Sequence, residues 1–328
     1  MTVPLAPDCG LEPAPDLRTI DGGRILIGGA PLRILRLRDG GADLVRRWFA
    51  GEPVADRPTH HDLARRLEHN GMAHVRWPTE QAERSAAVVI PTHDDQAELA
   101  RTLATEPQNW ADEVVVVDDG SAEPVSAPSA AVRVLRHPTG GGPGAARQMG
   151  LEVIGAPIVV FLDAGVTLEP EDAAGLLVAF DDPSVVAAAP RVRSEPADHI
   201  VGRYDQRRSP LDLGPDASLV GPGRRVTYVP TACLAARTDA VRSIGGFETG
   251  LRYGEDVDLV WRLAEIGTVR YLPRLTVRHR PRPSIPAMLA QRRAYGSSAA
   301  ALARRHGSER LSPCRVSPWS ALVLSLIH

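Results

Sequence analysis

Apolar residues in this chain are distributed in two ways. From residue 86 onward they come in unbroken runs: Ala86-Ala-Val-Val-Ile-Pro91, Val114-Val-Val-Val117 and Ile158-Val-Val-Phe-Leu162. Runs of this length, bounded by polar turns, predict strands buried on both faces. Helical stretches at residues 94–104 and 144–154 and a strand at 132–137 fall between them. Such alternation predicts an α/β fold, a mostly parallel sheet with helices on both faces. Before residue 78 the pattern is finer. Arg24-Ile-Leu-Ile27 and Arg33-Ile-Leu-Arg-Leu37 predict short strands around a Gly28-Gly-Ala-Pro31 turn. Leu44, Val45, Trp48 and Phe49 have helical spacing, as do Leu63, Ala64 and Leu67. Gly71 ends that second helix, and Ala73-His-Val-Arg-Trp77 closes the unit as a strand. The prediction is a small α+β domain of winged-helix type.

These patterns divide the chain into a loose, Pro- and Ala-rich start (1–17), the small domain (18–78), a polar linker to about residue 84, and the large domain (85–310). Residues 191–225 are less regular and read as an acceptor-side loop, and residues 284–306 read as one helix. The end, 311–328, carries the apolar run Trp319-Ser-Ala-Leu-Val-Leu-Ser-Leu-Ile-His328. It falls short of the roughly 20 residues that span a bilayer, and reads as a core helix, a peripheral membrane contact, or the start of something cut off.

The chemistry sits where the apolar runs stop. Asp118-Asp119-Gly120-Ser121 closes the second run and Asp163 the third. Carboxylates at the carboxyl ends of buried strands occupy the usual ligand crevice of an open α/β sheet, and unpaired burial would cost them dearly. The plainer reading of Asp118 and Asp119 is a solvated Asp-Gly turn. Further on, Gly254-Glu255-Asp256-Val257-Asp258-Leu259 begins a helical pattern. There Glu255 and Asp256 either complement the helix dipole or project into a cleft, one of them as a general base. Asp258 reads as structural or solvated, and His93 as structural or donor-contacting. His279 is a polar residue or a metal ligand.

Gly140-Gly-Gly-Pro-Gly-Ala-Ala-Arg147 reads as a loop opening a helix, whose amides suit an anion. Gly140, Gly142 and Ala145 also fit the loose dinucleotide fingerprint, with Asp163 at a suitable distance. An NAD-dependent oxidoreductase is therefore one alternative. Against it, the loop follows the third strand of its domain rather than the first, and Asp118, Asp119, Glu255 and Asp256 are left without a role.

Composition removes other classes. The 328 residues carry a net charge of −2, with 38 basic residues that are all arginine. That balance gives no electrostatic case for nucleic acid. Cys9, Cys233 and Cys314 form neither a disulfide framework nor a zinc motif. They fit a reducing, cytoplasmic location, and the N-terminus lacks the pattern of a secretory signal.

In this order the motifs resemble the inverting family 2 glycosyltransferases over residues 85–279. Pro91-Thr-His-Asp94, Asp118-Asp-Gly-Ser121, Gly144-Ala-Ala-Arg147, Asp163-Ala-Gly165 and Gly254-Glu-Asp256 stand where that family has its start motif, uridine-binding strand end, Gly-Ala-Arg helix start, Asp-x-Asp and catalytic acidic pair. The resemblance implies a GT-A-like nucleotide-sugar fold. It implies donor contacts from Pro91, Asp118, Asp119, Arg147 and Asp163, and catalysis by Asp256 with Glu255. Asp163 and His279 are the expected ligands of a divalent Mg²⁺ or Mn²⁺, although Gly165 removes the second acid of Asp-x-Asp. The segment from Gly23 to Arg33, with Tyr228-Val-Pro-Thr-Ala232 and Tyr295-Gly-Ser-Ser298, is similar to glycosyltransferases of mycofactocin systems. That likeness implies hexose transfer, repeated or single, from UDP-glucose to a peptide-derived redox cofactor. A second alternative is a non-catalytic peptide-binding scaffold with a dead transferase domain.

Overall fold

The computed structural model describes residues 3–77, 84–127, 129–251 and 253–311. Most of the expected linker and the apolar segment after residue 311 lie outside the described residues.

The first 77 residues form an α+β layer. Strand β1 (Gly10–Pro13) is followed by β2 (Arg18–Ile20), β3 (Ile25–Gly28), β4 (Arg33–Arg36), helix α1 (Asp39–Phe49), helix α2 (Pro58–His69) and β5 (Ala73–Arg76). The last five fall where the apolar spacing places them. Strands β2, β3 and β4 make an antiparallel sheet, and β1 pairs antiparallel with β5. Leu11, Leu26, Trp48, Leu67 and Met72 fill its core. The start of the chain was expected to be loose, and this is corrected: Leu5, Cys9 and Leu11 are buried, and Leu11 lies opposite Val75. Proline and alanine dominate that segment, but a few large apolar anchors and one edge pairing are enough to order it.

The second region is an eight-stranded sheet: β6 (Ala86–Thr92), β7 (Glu113–Asp118), β8 (Val132–Arg136), β9 (Ile158–Leu162), β10 (Val185–Ser194), β11 (Ser218–Leu219), β12 (Cys233–Arg237) and β13 (Thr268–His279). Its order is β11-β13-β10-β12-β9-β6-β7-β8. Strands β6, β7, β8 and β9 run parallel, as do β10 and β13, while β12 runs antiparallel to both its neighbours. Helices α3 (Gln96–Leu103), α4 (Pro143–Val153) and α5 (Pro170–Val178) connect the parallel strands. Helices α6 (Ile200–Arg208), α7 (Thr238–Ser243) and α8 (Glu255–Ile266) follow, and α9 (Ile285–Ser297) with α10 (Ala299–His306) complete the described chain. Separate apolar clusters cover the two faces of the sheet. The expected α/β class is therefore the one observed, and both faces are buried because β6, β7 and β9 are apolar on both. Among the described residues no helix is long and apolar enough to cross a membrane.

The layer meets the sheet through four buried charges. Arg65 of α2 donates two 2.7 Å hydrogen bonds to Asp182 and one of 2.9 Å to Glu68. Arg270 of β13 donates to Asp182 at 3.0 Å and also pairs with Glu68. Burial pushes the Asp182 carboxyl up, but the Arg65 hydrogen bonds and the two guanidinium charges hold it down at about 2.

Candidate functional site

A cavity of about 750 Å³ opens at the carboxyl ends of β6 and β9, where the strand order departs to both sides of β6. This is the switch point at which open α/β sheets bind ligands. Pro91 lines the cavity beyond Val89, the last residue of β6 that β9 pairs with. Asp119, Arg147 and Asp163 line the sheet side, and Glu255 and Asp256 project from α8. Tyr228, Tyr253 and Tyr295 form part of the far wall.

Two acids share one buried arginine. Arg147 donates to Asp163 Oδ1 at 2.5 Å and to Glu255 Oε1 at 3.0 Å. Its guanidinium also stands over the Phe247 ring. Small residues permit this approach. A Cβ on Gly144 of α4 would lie 3.2 Å from Glu255 Cγ, so glycine there lets α4 and α8 meet closely without displacing Glu255. Gly254 precedes α8 with φ +83°, and a Cβ on it would lie 2.8 Å from Ser298 Cβ. Among the described residues the neighbouring Asp256 has no arginine partner of its own. Its Oδ1 accepts a 2.8 Å bond from the Val257 N–H. Burial and then the Glu255 charge push its carboxyl up to about 7. A carboxylate poised near neutrality can accept a proton from a substrate hydroxyl.

Asp118 and Asp119 part company. Asp118 turns into the protein: Oδ1 accepts from the Ser121 N–H at 2.8 Å, and Oδ2 from the Val125 N–H and Arg136 Nη1 at 3.2 and 2.5 Å. Burial raises its carboxyl, yet these bonds hold it below its ordinary value. Asp119 does face the cavity. Its two oxygens accept from the Gly141 and Gly142 N–H groups at 2.7 and 2.8 Å. The anion held by the glycine loop is thus the protein's own carboxylate, which removes the main support for a dinucleotide site. His93 lines the cavity too, with Nδ1 2.8 Å from the Asp119 carbonyl oxygen.

The expected metal ligands are not brought together. His279 is not part of the cavity lining; its Nε2 lies 3.5 Å from Ser209 Oγ and 3.9 Å from Asp205. Asp163 Oδ1 is engaged by Arg147. Gly165 holds φ +89°, and a Cβ there would lie 2.7 Å from Glu98 Oε2 and 3.2 Å from Glu98 Cβ. Among the described residues no group of three or more His, Cys, Asp or Glu side chains is disposed to hold a metal. The residues present do not fit a cation held between two carboxylates.

Asp258 is structural: it is buried and paired with Arg262, Arg305 and His306 at 2.6, 2.6 and 2.7 Å, which ties α10 to α8. Tyr253, Tyr295, Leu302 and Arg282 were not foreseen as lining residues. They come from a helix pair and loops whose path over the cavity no local pattern encodes.

Residues 87–240 match the family described as glycosyl transferase family 2. Two strains of Mycobacterium tuberculosis, CDC 1551 / Oshkosh and ATCC 25618 / H37Rv, have a "Pre-mycofactocin glycosyltransferase" 38% identical to this chain over 308 residues, 92% of the chain. The chain spans 64% of the length of these relatives. Among solved structures, the mannosyltransferase PcManGT from Pyrobaculum calidifontis, in complex with GDP-Man and Mn²⁺, is 17% identical with a TM-score of 0.49, covering 76% of this chain and 82% of its own. S. aureus TarS in complex with UDP-GlcNAc is 19% identical with a TM-score of 0.49, covering 61% and 59%.

Proposed function

We propose, from the match of residues 87–240 to glycosyl transferase family 2, that the chain moves a hexose from a UDP-sugar onto a peptide-derived redox cofactor of mycofactocin type, with inversion. The observation that carries this reading is Asp256: a carboxyl pushed up to about 7 at the wall of a cavity at the sheet's switch point. UDP-glucose is the proposed donor, lying across the ends of β6 and β9 with Pro91 and Asp119 nearest the nucleoside. Asp256 takes the proton of an acceptor hydroxyl. The freed oxygen bonds to the anomeric carbon from the face opposite the leaving group. The carbon–oxygen bond to the diphosphate breaks, and its electron pair leaves with UDP.

Glu255 and Arg147 keep Asp256 in place. Glu255 adds the negative charge that raises Asp256, and Arg147 holds Glu255 and Asp163 in fixed positions. We give Arg147 a positioning role, since each of its Nη groups donates to a carboxylate of the chain. The N-terminal layer is proposed to hold the peptide or the peptide-derived acceptor.

The test is mass spectrometry of a mycofactocin-type acceptor incubated with UDP-glucose. Hexose increments with the wild type and none with Asp256→Asn support the reading. Equal increments with both would remove Asp256 as the base, and no increment alongside normal acceptor binding would favour a peptide-binding scaffold.

A further inference from the structure

A nucleoside diphosphate leaving group builds negative charge that something must meet. The strand-end loop after β9 is where a cation would stand, and here it is built against one. Gly165 brings no carboxylate, and its left-handed backbone packs on α3 with its N–H donating to Thr102 Oγ1 at 2.9 Å. The space a side chain would take belongs to Glu98. Glu98 is no substitute ligand, because its oxygens are taken by Arg101 at 2.7 Å and Arg280 at 2.9 Å. Arg101 and Arg280 also pair with Glu195. The loop is therefore laced with guanidinium groups that already have carboxylate partners.

One arginine of the cavity wall differs. Arg282 lies two residues beyond Arg280, on the chain that leads from β13 into α9, and lines the cavity together with Asp163, Ala164 and Tyr295. It is exposed, and it makes no ion pair or hydrogen bond with any described residue. Its charge is felt at the Tyr295 hydroxyl, as are those of Asp163 and Asp256, which places the four groups around one space. A planar guanidinium with all its donors free is suited to grip a phosphate through two oxygens.

Resting on the nucleotide-sugar reading above, we propose that this site meets the donor's diphosphate with Arg282 in place of a divalent cation, so that the donor binds and reacts without a metal. Arg282 contacts the phosphate oxygens and holds the charge that leaves with the nucleoside diphosphate. The sugar and the proton move as described for Asp256.

The experiment is calorimetric titration of the full chain with UDP, in excess chelator and again in Mn²⁺, for wild type, Arg282→Ala and Arg282→Lys, with uridine as the uncharged control. Expected are wild-type affinities that agree within about twofold between the two conditions. Arg282→Ala should bind UDP about tenfold or more weakly, the worth of one charge-assisted contact, with uridine binding unmoved and Lys recovering part of the loss. UDP binding that vanishes in chelator and returns with Mn²⁺ overturns the inference and leaves the proposed function standing. Chelator-insensitive binding that Arg282→Ala leaves unchanged removes Arg282 from the role. No UDP binding under either condition overturns both this inference and the nucleotide-sugar reading beneath it.

Discussion

Two buried clusters of charge in this molecule are built on opposite principles. Where the N-terminal layer meets the sheet, two arginines face two carboxylates, and the Asp182 carboxyl is held at about 2. At the end of α8, one arginine serves Asp163 and Glu255, and Asp256 is left over and rises to about 7. The balanced cluster holds the Asp182 carboxyl down and ties the layer to the sheet. The unbalanced one keeps a group that gains and loses a proton near neutrality. Burial alone does not mark a functional acid; an unpaired remainder does.

The largest effect that tests this contrast is at Asp256. Asp256→Asn should lower turnover by about 10²–10⁴-fold with UDP affinity little changed. The base works ionised, so wild-type turnover should rise with pH and level off above about 7; a flat profile from pH 5 to 8 would contradict the assignment. The stability linkage has a definite sign. Because the folded carboxyl is raised, the native state holds a proton that the unfolded chain has already lost, so its contribution to stability declines as pH climbs from about 4 to about 7. Asp256→Asn should therefore melt higher than wild type at pH 8.

Next comes the balanced cluster. Arg65→Met leaves Asp182 and Glu68 short of a partner and should cost about 3–5 kcal/mol in chemical denaturation. A loss below 1 kcal/mol would show that the four charges act as a surface pair would. A smaller effect follows from acid. Asp182 is depressed, so its stabilisation is present above the unfolded carboxyl pKa of about 4 and is lost as pH falls through about 2, on the order of 2 kcal/mol in all. Smallest is Gly165→Ala. Its left-handed φ and the nearby Glu98 Cβ should cost roughly 1–2 kcal/mol, read as a lower melting temperature.

The parallel strands were legible because β6, β7 and β9 are built on unbroken apolar runs, and the acidic pair because a glycine and a helical pattern frame it. Direction and long-range partners were not. Nothing in Cys233–Arg237 says that β12 runs against its neighbours. Asp118 and Asp119 look equivalent in the chain, yet turn hydrogen bonds send one inward and leave the other at the cavity. His279 ends a long strand whose register against β10 shifts between Pro190 and Arg191, so counting along β13 does not tell where the imidazole arrives. The expected single helix at 284–306 breaks at Ser298, whose hydroxyl bonds back to the Tyr295 carbonyl. Arg65 and Asp182 are 117 positions apart, and no local pattern links them.

That last pair bears on how freely the eight-stranded sheet can be transplanted. Cutting the chain near residue 84 would remove Arg65, Glu68 and Trp77, whose ring Arg270 stacks upon, and strand Asp182 and Arg270 on a freshly opened surface. The sheet is not a portable module as it stands. A working excision would have to exchange Asp182 and Arg270 for residues content with water, and lineages that separated the two halves would be expected to carry compensating changes at those two positions.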